Sequence, residues 1–140
     1  MSYIENKITM EEYLKNISNR SKKYHIGSIL KTFNHFCNQR YDKSSQQVLD
    51  DLFNEIGKTH SNDKVYVLFN HFKDWLLIDH PEIEYFLGKN KSQKRTIKAR
   101  HPNTVRLYLI KIRSIFEEIG NIEINSRLFN KRIVKHKVSD

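Results

Sequence analysis

Cysteine, proline, glycine and tryptophan are all scarce: 140 residues contain one Cys, two Pro, four Gly and one Trp. A lone Cys37 excludes an internal disulfide and fits a reducing, intracellular setting. So few glycines and prolines disfavour the many turns of a sandwich or barrel and favour long helices. Apolar runs such as Trp75-Leu76-Leu77-Ile78 span only a few residues, against the roughly 20 that a membrane-crossing helix needs. Met1 to Lys7 lacks the apolar stretch of a secretory signal. What is present is enough for a core. Hydrophobic residues make up 38% and charged residues 29%, with eight Phe and seven Tyr, which argues against disorder of the whole chain. The expectation is a cytoplasmic, soluble, all-α protein, a compact bundle of four to six helices.

The second scarcity is local. From Gly88 to Phe116 there is no acidic residue, while nine basic ones fall in the window. Residues 1–88 hold 11 Lys/Arg and 12 Asp/Glu, and residues 89–140 hold 14 and 4. The formal charge of +9 therefore belongs to the C-terminal part. A one-sided cluster of this kind is the electrostatic footprint of a polyanion partner. A basic surface kept for solubility is the alternative, but such surfaces intersperse both signs.

Apolar spacing of three and four residues recurs along most of the chain. Thr9 with Glu12 forms a capping box ahead of Met10, Tyr13, Leu14 and Ile17. A helix is predicted from about Ser21 to Tyr41, with Ile26, Ile29, Leu30, Phe33, Phe36 and Cys37 inward. Ser44 or Ser45 opens the next, carrying Val48, Leu49, Leu52, Phe53 and Ile56, with Gly57 placed to end it. Ser61 is predicted to cap a fourth, from Val65 through Leu68, Phe69, Phe72, Trp75 and Leu76 to about Ile78. Ile83, Tyr85, Phe86 and Leu87 suggest a short turn, and residues 88–95 read as an exposed basic loop. Asn103 is predicted to cap the most regular helix, Thr104 to about Ile119, ended by Gly120-Asn121. Its apolar stripe is Val105, Tyr108, Leu109, Ile112, Ile115, Phe116 and Ile119. Arg106 and Arg113, seven residues apart, share another face. Residues 1–121 are thus expected to form the helical domain. Residues 122–140 read as a basic segment or linker, or as a last helix capped by Asn125.

Motifs for catalysis are missing. None of the seven histidines belongs to an H-E-x-x-H, and one Cys allows no zinc-finger spacing. No phosphate-binding glycine loop and no G-x-S-x-G is present. Cys37 lies on an apolar stripe and reads as a buried thiol. His71, beside Phe72, reads as a packing residue, and Asp50 and Asp51 suit a helix start. No cofactor, no metal and no enzymatic activity are expected of this chain alone.

The stretch from His101-Pro102-Asn103-Thr104-Val105-Arg106 through Arg113-Ser114-Ile115-Phe116 to Gly120-Asn121 resembles the last helix of the N-terminal core-binding (SAM-like) domain of tyrosine recombinases and phage-type integrases. That helix has a polar cap, Thr-[Val/Ile], a basic residue and then Arg-Ser-[Ile/Phe]-Phe. Lys22-Lys23-Tyr24 through Phe33-Asn34-His35-Phe36 is similar to its first long helix. Val48-Leu49-Asp50-Asp51-Leu52 resembles the segment that sets where the next helix lies. Val65 through Trp75-Leu76 resembles the second core helix. The likeness extends over about residues 9–138. The family's chemistry resides in a separate domain with an Arg, a Lys, a His-x-x-Arg and a Tyr nucleophile. No histidine here is followed three residues later by arginine, so the chain is expected to be a domain of a longer recombinase or a free-standing relative.

The resemblance implies one lobe of a clamp on double-stranded DNA, serving site-specific recombination or integration, with other recombinase protomers as further candidate partners and no membrane. The residues alone single out Lys94, Arg95, Lys98, Arg100, Arg106, Lys111 and Arg113 as DNA-facing, with Lys22 and Lys23 in second rank. Most would meet phosphates, while Arg106 and Arg113 could reach base edges. The alternative for each is a solvated helix face. The rival function is a helical protein–protein adaptor whose apolar-basic tail docks in a partner's groove. Single-strand binding through Tyr85 or Tyr108 ranks lower.

Overall fold

A computed structural model describes residues 8–80 and 97–134. The turn predicted at Ile83 to Leu87, the basic stretch 88–95 and Lys94 and Arg95 within it lie outside the described residues.

Helices start where a short polar side chain can accept an otherwise unpaired N–H. Thr9 and Glu12 form the reciprocal capping box of α1 (Met10–Lys15). Asn19 accepts from Lys22 N–H at 2.9 Å and opens α2 (Arg20–Tyr41). Ser44 accepts from Gln47 N–H at 3.1 Å ahead of α3 (Ser45–Thr59). Ser61 Oγ takes the Asp63 N–H at 3.2 Å at the start of α4 (Asp63–Leu76), although Asn62 is the capping residue by backbone. Asn125 accepts from Leu128 N–H at 2.9 Å and opens α6 (Ser126–Phe129), which runs on into a single π-helical turn, Asn130–Val134.

Besides the Asn62 cap in place of Ser61, two boundaries differ from the sequence prediction. Gly57 does not end α3. The helix propagates to Thr59, and His60 takes the left-handed conformation at φ 59°, its N–H bonding Ile56 O at 2.7 Å. Nor does Asn103 cap the long helix. Pro102 occupies the first turn of α5 (Pro102–Gly120), where its fixed φ suits a helix and its missing N–H costs nothing. That moves the cap back to His101, whose Nδ1 accepts from Asn103 N–H at 3.1 Å.

The architecture is all-α. Among the described residues no strand forms, and the single β-bridge pairs His80 with Ile97. Helix α2 is the hub, packed by α1, α3, α4 and α5. Phe33 on α2 lies 5.1 Å from Phe72 and 5.8 Å from Phe116, edge to face, which draws α2, α4 and α5 together. Phe69 continues the chain of rings, 5.4 Å from Phe116 and 5.0 Å from Phe129. Gly120 lies close to α3, where a Cβ would meet Leu49 Cδ1 at 2.7 Å, so a larger residue would need the buried Leu49 side chain to shift.

The tail joins this core. Ile122, Ile124, Phe129 and Ile133 are all buried, and Lys73 Nζ donates to Ile133 O at 3.1 Å. The described part of the segment after Asn121 is therefore packed rather than extended.

Cys37 is fully buried on α2, and burial pushes its thiol up to about 12. In the native protein a thiol-directed reagent at neutral pH is expected to react only as fast as the chain unfolds, with full reaction in denaturant. Rapid labelling of the native protein would place Cys37 outside the core.

Candidate nucleic-acid interface

Helix α5 buries Val105, Tyr108, Leu109, Ile112, Ile115, Phe116 and Ile119 on one side. The opposite ridge carries Asn103, Leu107, Ile110 and Ser114. At about 100° per residue, Arg106 and Lys111 stand about 140° apart, one on each flank of that ridge. Arg106 is exposed and Lys111 half-buried.

Arg113 behaves differently from Arg106. Its side chain keeps only 18% exposure, its guanidinium lies 5.4 Å from the Phe129 ring centre, and its Nε is 3.9 Å from Glu117. The C-terminal turn packs over this flank of α5, so Arg113 braces the tail. Of the two guanidinium groups that the seven-residue spacing aligns, Arg106 is the one projecting to solvent.

The N-terminal end of α5 is tied to the C-terminal end of α4. Arg100 N–H donates to Leu76 O at 2.8 Å, and Ala99 N–H to Asp79 Oδ1 at 2.6 Å. His80 and Ile97 exchange backbone bonds of 2.8 and 3.1 Å. The His80 ring stacks on Trp75 at 4.2 Å and its Nε2 bonds Trp75 O at 2.8 Å. On this fixed strap Lys98 is exposed, and Arg100 is half-buried with its guanidinium 5.4 Å from the Tyr108 ring centre. The first turn of α5 holds no acidic residue, so these cations add to the positive pole of the helix dipole rather than offsetting it.

Lys22 and Lys23 sit in the first turn of α2, which likewise contains no acid. Lys22 shares a cleft with Lys111, whereas Lys23 is half-buried outside it. The selected cations are thus strung along α5, about 28 Å long, rather than gathered in one spot. Lys73 on α4 and the exposed Lys131 and Arg132 on the C-terminal turn are further cations beyond the residues selected from the sequence. Arg132 lies 5.0 Å over the Tyr66 ring. The apolar-basic alternation after Asn121 was the signal that could have found Lys131 and Arg132.

Ion pairs among the described residues join Lys43 to Asp51, Lys64 to Glu55 and Arg113 to Glu117. Among the described residues Lys22, Lys23, Lys98, Arg106 and Lys111 form no ion pair. Among the described residues no group of three or more His, Cys, Asp or Glu could hold a metal ion, and no helix is long and apolar enough to cross a membrane. His71 is engaged by the Tyr41 hydroxyl at 3.1 Å.

No family model, no curated protein and no solved structure matches the chain.

Proposed function

We propose that this chain is a non-catalytic duplex-DNA-binding domain of the kind that the core-binding lobe of a tyrosine recombinase supplies. The observation that carries the reading is that, among the described residues, Arg106 and Lys111 on the two flanks of α5 and Lys98 on the strap before it form no ion pair. A helix with side chains is about 10–12 Å across, close to the width of the B-DNA major groove. With α5 in that groove, its ridge of Asn103, Leu107, Ile110 and Ser114 faces base edges, the amide for hydrogen bonding and the aliphatic groups for thymine methyls. Arg106 and Lys111 then meet phosphates on either side, and Lys98 and Arg100 continue the contact beyond the end of the helix. Phe129 and Ile133, which an adaptor would offer to a partner's groove, are buried in this chain's own core. The basic surface remains to be explained. In this reading, strand cleavage and joining belong to a separate catalytic domain, and this chain contributes binding and orientation.

The test is the double variant Lys98→Glu/Arg106→Glu, both residues exposed and neither part of the core. Hydrogen bonds to charged groups contribute about 1.5–3 kcal/mol each, so losing two is expected to weaken duplex binding by about 100-fold or more. Circular dichroism should show unchanged helix content. Wild-type affinity in the folded variant would remove these residues from the interface and the proposal with them.

A further inference from the structure

Cations that meet phosphates position a protein without reading sequence, so direct reading of bases falls to the ridge between Arg106 and Lys111. We infer, resting on the duplex-binding reading, that this ridge selects a short run of A·T base pairs from the major groove. Asn103 pairs with adenine, and Leu107 and Ile110 cover thymine methyls. From Asn103 to Ile110 the helix rises about 10 Å, which spans about three base-pair steps.

The three residues follow one another at spacings of four and three and so share one side of the helix. Arg106 and Lys111 each stand about 70° off the middle of that line. The Asn103 side chain is exposed and, among the described residues, makes no hydrogen bond. Only its backbone N–H is used, on His101 Nδ1 at 3.1 Å. Leu107 keeps 39% of its surface in solvent and Ile110 is half-buried, so both offer aliphatic surface outward. Guanine is most often read by an arginine or lysine on its O6 and N7, and the line has neither. An amide matches N6 and N7 of adenine, and the thymine methyl is the apolar group that the groove presents. The amino group of cytosine calls for a carboxylate. The first carboxylates on α5 are the exposed Glu117 and Glu118, beyond Ser114. Their charge repels phosphates, so the groove contact ends before them and the N-terminal half of the helix does the reading.

Selection by the full chain from a pool of duplexes with randomised positions is expected to enrich A·T pairs at about three adjacent positions. In the selected duplex, replacing thymine by uracil removes only methyl groups. Wild-type binding should weaken about fourfold for each methyl contacted. Leu107→Ala/Ile110→Ala should bind the thymine and uracil duplexes alike, with helix content unchanged by circular dichroism, since alanine is the better helix former. Asn103→Ala should bind the selected duplex about 5- to 150-fold more weakly, the loss of one bidentate contact to adenine. Enrichment of G·C pairs, or a uracil duplex bound by the wild type as tightly as the thymine one, overturns the inference. So does a uracil effect that persists in the folded double variant. The uracil comparison uses the wild type and stands whether or not a variant folds. A wild type that binds every duplex equally overturns the A·T reading and leaves duplex binding intact. No binding to any duplex at low salt removes the duplex-binding reading itself, and this inference with it.

Discussion

Raising salt from about 50 to about 200 mM is expected to weaken duplex binding about 2,000-fold, the outcome for six neutralised phosphates at a slope of −0.9 each. Six is the count that the proposed duplex-binding reading gives, with Lys22, Lys23, Lys98, Arg100, Arg106 and Lys111 supplying one contact each. Cations outside the described residues, Lys94 and Arg95 among them, would steepen the dependence. The alternative, a basic surface that only keeps the protein in solution, predicts no saturable complex at either concentration. Titration of a short duplex at both concentrations separates the two. An affinity that survives the salt increase unchanged would mean that the interface is not electrostatic, and the α5 assignment would fail.

Phe129→Ala is expected to cost about 3–5 kcal/mol, the range for truncating a fully buried phenylalanine. Against a usual total of about 5–15 kcal/mol this is a large fraction of the stability. The ring is completely buried, meets Phe69 edge-on at 5.0 Å and carries the Arg113 guanidinium on its other side. Its removal takes away the anchor of the C-terminal turn, the support for Arg113 and part of the apolar cover of α4. Urea unfolding followed by circular dichroism reads the loss. A change below about 1 kcal/mol, the size of many surface substitutions, would mean that residues 122–134 are a linker and not part of the fold. The same variant bears on function, because Arg113 freed from Phe129 could swing outward beside Arg106.

Much of the scaffold was legible because its determinants are local. A capping box at Thr9 and Glu12, the Ser44 and Asn125 caps and the apolar stripes of α2 to α5 each act within about two turns of their own position. The misplaced boundaries have local causes of another kind. Gly57 permits a helix end but does not impose one, and a Cβ there would meet nothing within 4 Å. At the start of α5 the proline after His101 outranked the asparagine beyond it, because a missing N–H at the first helical position is harmless there and disruptive later.

The site was legible only as an inventory. Arg106 and Arg113 look equivalent at a spacing of seven, yet the tail folds back onto the flank at Arg113 and buries most of its side chain. Lys22 stands in second rank in the sequence, at the start of a helix, and shares a cleft with Lys111 only through the packing of α5 on α2. His80 and Ile97 show the same effect, with their paired backbones fixing where the strap before α5 begins.

The order of residues by itself determined that the chain is helical, where most helices begin and on which part of the chain the positive charge lies. All of these follow from neighbour-to-neighbour hydrogen bonding, periodicity and composition. The tertiary structure alone decided which cations stand free, which are spent on aromatic rings and carboxylates, and which two meet across a cleft. Those outcomes depend on distances between segments far apart in sequence, set by how the phenylalanine core pulls the helices together.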